Sequence, residues 1–195
     1  MKFVILLAVV AIVALYMISL FNKLVSQRNR FKNAFAQIDV QLERRYDLIP
    51  NLVEVAKKYM AHERETLEAV VLARNQAKSA CQNVLNNPSD AAAVGKLSQA
   101  EMALSQTLGR FLMLTENYPD LKAQETMKSL MEELTNTENL LAFSRQTYND
   151  SVMSYNSACQ QFPANLIAGA LGFSEAAFLK LQAEEKRATP KVHFS

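Results

Sequence analysis

A chain of 195 residues, half of them hydrophobic, is long enough for one membrane span and one domain with a buried core, and a second domain is not expected. Its 21 basic and 19 acidic residues leave a formal charge of +2 with no basic cluster, which argues against nucleic acid as a partner. The two cysteines, Cys81 and Cys159, are expected to be free buried thiols rather than part of a disulfide framework.

Between Lys2 and Lys23 the run FVILLAVVAIVALYMISLF carries no charge. At about 1.5 Å per residue such a helix crosses the roughly 30 Å hydrocarbon core of a bilayer, so residues 3–21 are expected to meet membrane lipid and residues 1–22 to form a transmembrane anchor. A cleaved signal peptide would begin in the same way, but its apolar core is shorter, and no small-x-small site closes this run. Lys23, Arg28, Arg30 and Lys32 on one side outweigh Lys2 on the other, which favours a cytoplasmic C-terminal domain. A periplasmic domain held by an uncleaved signal anchor is the alternative.

No glycine precedes Gly95 and no proline precedes Pro50, so the first half lacks helix breakers. Leu24, Phe31, Phe35, Ile38, Leu42 and Tyr46 follow three-four spacing, which predicts that the membrane helix continues as the first bundle helix. Asp47 is then expected to cap a second helix with Pro50 in its first turn. The stripe of that helix would be Leu52, Ala56, Tyr59, Leu67, Val70, Ala73 and Ala77, reaching toward Cys81 and ending at NNPSD, residues 86–90. A third helix shows Val94, Leu97, Leu104, Leu108 and Phe111 on one face, up to the turn ENYPD, residues 116–120. The fourth and longest repeats Met127, Leu134, Leu141, Tyr148 and Tyr155 every seven residues, with Leu130, Val152 and Cys159 beside them, and Pro163 stops it.

Beyond Pro163, NLIAGALGF is too short and too glycine-containing to span a membrane. It is expected to wrap the end of the bundle or meet a partner, with Asn165, Leu166, Ile167, Leu171 and Phe173 as its contact residues. A charged piece, AEEKR, leads into PKVHFS, which reads as an extended tail. The fold class predicted is all-α: an N-terminal transmembrane helix continuing into a long antiparallel bundle of about four helices over residues 23–162, then an apolar segment, a short helix and an extended tail over residues 163–195.

Candidate chemistry is sparse. His62-Glu63 lacks a second helical histidine, since position 66 is Thr66 and the other histidine is His193 in the tail, so no metal site is expected. No glycine-rich phosphate loop precedes a helix and no nucleophile has an evident histidine base, so no catalytic residue and no cofactor is assigned. More informative are the ionisable residues on apolar faces, Arg28, Glu63, Glu101, Glu138 and Arg145 among them. Buried charges cost several kcal/mol unless paired, so an interhelical polar network that fixes helix register is preferred to a solvated edge. Its candidate members are Arg44, Arg45, Asp47, Glu63, Arg74, Glu138 and Arg145. Glu138 and Arg145 lie about 10 Å apart along one helix, too far to pair directly. Each needs a partner elsewhere: Arg44, Arg45 or Arg74 for Glu138, and Asp39, Asp47 or Glu63 for Arg145.

Four blocks carry a family resemblance: AQIDVQLERRYDLIPNLVEVAKKYMAHE (36–63), ENYPDL preceded by Gly109-Arg110, TENLLAFSRQTYNDSVMSYN (137–156), and FPANLIAGALGF followed by PKVHF. Together they resemble the LemA family of bacterial membrane proteins over nearly the whole chain. The resemblance implies a single N-terminal anchor in the bacterial inner membrane and a helical bundle, and it brings no established catalytic activity. The expected role is therefore non-enzymatic: a scaffold that self-associates as a homo-oligomer at the membrane. The alternative is an adaptor or regulator that binds another membrane protein, such as a protease.

Overall fold

The structure, a computed structural model, describes residues 1–180; the charged piece at 183–187 and the extended tail expected after it lie outside them. Among the described residues there are helices and no strands. The first helix, α1 (Lys2–Lys57), runs without interruption from the apolar segment into the bundle. Its side chains are exposed almost throughout as far as Phe21, and burial begins at Leu24 and continues through Phe31, Phe35, Ile38, Leu42, Tyr46, Ile49 and Leu52. One face of one helix thus changes from open to packed, as the three-four spacing predicts.

The boundary expected at Asp47 does not exist. Helix α1 passes through Pro50, and the chain turns instead at residues 58–63, around the fully buried Met60. A proline inside a helix removes the N–H that would bond the carbonyl four residues back, at a cost of about 3 kcal/mol. Here that carbonyl belongs to Tyr46, and the Arg74 Nε donates to it at 2.9 Å from the neighbouring helix. Leu52 and Ala56 therefore belong to α1 and Tyr59 to the turn, whereas Leu67, Val70, Ala73, Ala77 and Cys81 form the buried stripe of α2 (Arg64–Asn86).

Asp90 caps α3 (Ala91–Thr115), its carboxylate accepting from the backbone N–H groups of Ala92 and Ala93. A short helix, α4 (Pro119–Ala123), fills the next turn, and α5 (Glu125–Gln160) returns along α1. The seven-residue repeat of α5, from Met127 to Tyr155, is buried throughout. Phe31 meets Tyr155, Phe35 meets Tyr148 and Arg45 meets Glu138, so α5 is antiparallel to α1. Helix α2 packs on both α1 and α3, and its Cys81 lies level with Asp39 of α1. Since α2 and α3 are 23 and 25 residues long against 36 for α5, their hairpin falls short of the end of the bundle nearest the apolar segment. That end is completed by the chain after α5: the single turn α6 (Ala164–Ile167), then an extended stretch over residues 174–180.

Candidate functional site

At mid-bundle three helices converge on one buried guanidinium. Arg45 and Tyr46, adjacent on α1, both reach Glu101 of α3: the Arg45 Nη1 donates to Oε2 at 2.9 Å and the Tyr46 hydroxyl donates to Oε1. The Arg45 Nη2 donates to Ser105 Oγ at 3.1 Å and lies 2.6 Å from Glu138 Oε1 on α5. Arg45 and Glu101 are 2% and 1% exposed, whereas the side chain of Glu138 is 45% exposed. The pair that the bundle encloses is thus Arg45 with Glu101, and Glu138 closes it from the solvent side. Burial pushes the Glu101 carboxyl above the usual range, opposed by the Arg45 charge and the Tyr46 hydroxyl and reinforced by Glu138. Burial, with Glu101 beside it, likewise raises Tyr46 well above an ordinary tyrosine. The arrangement locks α1, α3 and α5 in one register, since a slip of any one would strand a charge.

The other candidates lie around this centre or away from it. Arg44 pairs with Glu133 on the surface, Asp47 lies 3.7 Å from Arg74, and Glu63 accepts from the Tyr118 hydroxyl at 3.3 Å. Arg145 reaches none of the partners expected for it. Asp39 accepts from the Cys81 thiol, Asp47 and Glu63 are placed as above, and among the described residues Arg145 makes no ion pair. It is half-buried and lines an open cleft of about 340 Å³ with Arg45, Ser105 and Glu138, so its charge is solvated rather than enclosed. Glu101, singled out in the sequence as a charge on an apolar face, and Tyr46, read only as part of the α1 stripe, carry the buried centre, although neither was named among the members of the network. An acidic residue at the middle of the α3 apolar stripe was the signal for Glu101.

A second polar arrangement was not foreseen. The extended stretch 174–180 lies along α5, and two Tyr-Asn dipeptides seven residues apart hold it. Tyr155 donates to the Ser174 carbonyl at 2.9 Å and Tyr148 to that of Ala177 at 3.0 Å. Asn156 exchanges two hydrogen bonds with the backbone of Ala176, and Asn149 exchanges two with that of Leu179. Seven helical residues rise about 10 Å, and three residues of extended chain cover nearly the same distance, so the two repeats stay in phase. Phe173, Ala176 and Leu179 are buried at that period of three. The Lys180 N–H reaches Ser98 Oγ at 3.3 Å, which ties the stretch to the start of α3. Burial raises Tyr148 to about 12. A repeated Tyr-Asn at helical spacing was the available signal.

The fold and these contacts define a class: one helix long and apolar enough to cross a membrane, merging without a break into an antiparallel bundle. The chain belongs to the LemA family, whose model it matches over residues 34–194. It is also similar to magnetosome proteins MamQ 1 and MamQ 2 of Paramagnetospirillum magneticum, each 24% identical over 189 residues, covering 89% of this chain and 69% of the relative. Magnetosome protein MamQ of Magnetospirillum gryphiswaldense is 24% identical over 185 residues, covering 84% of this chain and 68% of the relative.

Proposed function

We propose that this LemA-family chain is a membrane-anchored, non-enzymatic scaffold that self-associates at the bacterial inner membrane with its bundle on the cytoplasmic side. The observation that carries the reading is the single 56-residue helix α1, which belongs both to the apolar run and to the packed core. A bundle joined through a continuous helix is held at a fixed distance from the bilayer, as a spacer or organising element requires. The buried Arg45–Glu101 pair supports the same reading, since its charges serve helix register. Lys23, Arg28, Arg30 and Lys32 beside the apolar run favour the cytoplasmic placement.

A second reading, an adaptor for another membrane protein such as a protease, draws on an open groove of about 630 Å³ at the far end of the bundle. Val53, Met60, Leu67, Val71 and Leu72 line it, with Lys57 and Arg64 at the rim. Extraction of the chain from its native membrane in mild detergent, with mass measurement and identification of co-purifying chains, separates the two. A homo-oligomer is the expected result. A stoichiometric second protein on a monomeric chain would replace the scaffold with the adaptor.

A further inference from the structure

Residues 162–173, FPANLIAGALGF, contain no charged side chain. Ala164, Ala168 and Phe173 are buried and fix this segment to the bundle, while Phe162, Leu166 and Leu171 project outward, 80%, 69% and 43% exposed. Its position is set by two contacts. The Phe173 ring meets Phe21, the last apolar residue before Asn22 and Lys23, edge to face at 5.6 Å between centroids. The Arg28 guanidinium, two turns further along α1, lies over the Phe173 ring at 4.8 Å from its centroid. The exposed apolar side chains of the segment therefore lie where α1 leaves the hydrocarbon.

The backbone of the segment suits a poorly hydrated place. The N–H groups of Asn165, Leu166, Ala168, Leu171, Gly172 and Phe173 all donate to carbonyls of residues 161–169. Gly172 takes the left-handed conformation, φ 75°, and lets the Phe173 N–H close back on the Ala168 carbonyl at 2.9 Å. Six backbone donors of the segment are thus paired, which lowers the cost of entering the boundary between headgroups and acyl chains. Lys23, Arg30 and Lys32 are exposed on α1 in the turns that follow Phe21.

We propose that residues 162–173 form a foot that inserts Phe162, Leu166 and Leu171 into the interfacial layer of the bilayer beside α1, giving the bundle a second membrane contact. The inference rests on residues 3–21 crossing the membrane. At the level where α1 enters lipid, the occupant facing outward side chains is lipid, which favours the bilayer over a second copy of the chain. A single span leaves the bundle free to tilt about its exit point; a second contact holds it to one inclination.

The chain contains no tryptophan, so one introduced indole reports alone. Leu166→Trp, Leu171→Trp, Leu7→Trp and Met113→Trp are made singly in the full chain. Met113 is exposed near the far end of α3, and Leu7 is in the apolar run. Each variant is reconstituted into vesicles of phosphatidylcholine with phosphatidylglycerol, with and without brominated acyl chains. The expected result is quenching of Leu7→Trp, and quenching of Leu166→Trp and Leu171→Trp at least about twofold above Met113→Trp, with emission shifted to the blue. Quenching of Leu7→Trp alone overturns the foot and leaves the anchor standing. No quenching of Leu7→Trp removes the anchor and the foot together. A blue shift at positions 166 and 171 that ignores brominated lipid but grows with protein density assigns the surface to a second copy and also overturns the proposal.

Discussion

Arg45 and Glu138 are partners of unequal burial, and that inequality decides what each contributes. Removing the guanidinium with Arg45→Met leaves the Glu101 carboxylate enclosed without its cation, which should cost about 3–5 kcal/mol in a denaturant melt. Glu138 is 45% exposed, so solvent screens it, and Glu138→Gln should cost less than about 1 kcal/mol. Arg145→Met belongs with the small effects because its charge faces an open cleft. Equal losses for Arg45→Met and Glu138→Gln would show that the charge is shared evenly over the cluster. The role of Arg45 could be anticipated only as one of several arginines, since sequence spacing gives the face of a helix and not the depth at which a side chain ends. For Glu138 the sequence offered Arg44, Arg45 or Arg74 without choosing among them, and Arg45 is the one beside it. The partners offered for Arg145 do not reach it, because nothing in spacing distinguishes a cleft from a seam. A pH effect belongs to the same scale. Tyr148 holds its proton up to about 12 in the folded chain, against 10.0 for a free tyrosine. Between those values the unfolded chain releases a proton that the folded one keeps, so the contribution is complete below pH 10.0 and declines as pH rises through the folded value. Tyr148→Phe should be about 1 kcal/mol less stable at neutral pH, having lost its bond to Ala177, yet show a shallower alkaline decline. An alkaline limb identical in slope to the parent's would remove Tyr148 from that decline.

Helix α1 is the element whose reading from sequence failed at one boundary and succeeded elsewhere. Asp47 and Pro50 together make a good helix start, and the local rule was overridden by a residue distant in sequence: Arg74, which satisfies the carbonyl that Pro50 leaves open. The stripes of α3 and α5 could be read directly, because Leu97, Leu104 and Leu108 in α3 and Leu134 and Leu141 in α5 keep helical spacing, in α3 despite Gly95 and Gly109. The extended stretch held by Asn149 and Asn156 could not, since amide side chains that serve another segment's backbone leave no hydropathy pattern on their own helix. The compensation at Pro50 is testable as a coupling. Pro50→Ala restores the N–H and should stabilise the bundle, with the size limited by the bond that Arg74 already supplies. Arg74→Met should cost about 1–3 kcal/mol in the parent and clearly less in the Pro50→Ala background, because there the Tyr46 carbonyl has its helical partner. Additive losses in thermal or denaturant melts would detach Arg74 from the proline and leave its contact with Asp47 as its function.

For the whole molecule the question is whether the bundle depends on the apolar run for its fold or only for its location. The residues before Leu24 are exposed almost throughout, with Met17 and Leu20 partly covered, and Phe21 makes an aromatic contact with Phe173. The core that starts at Leu24 is closed by α2, α3, α5 and the extended stretch, and burying a single leucine or phenylalanine within it contributes about 1.5–3 kcal/mol. Loss of one edge-to-face ring contact, about 0.5–1.5 kcal/mol, is small beside the sum. Deleting residues 1–21 should therefore yield a folded helical domain, with far-UV circular dichroism of the same shape and a cooperative melt. The foot at residues 162–173 would remain, with Phe162, Leu166 and Leu171 exposed. Its three side chains bury far less apolar surface than a transmembrane span, so any vesicle binding by the deleted chain should be reversible and removed by carbonate, whereas the full chain stays in the membrane pellet. A deleted chain that resists carbonate extraction would mean that a segment other than residues 3–21 inserts deeply. A deleted chain that is released but unfolded would mean that the apolar run is part of the fold, and the bundle would then have to be regarded as a membrane domain rather than a domain held at a membrane.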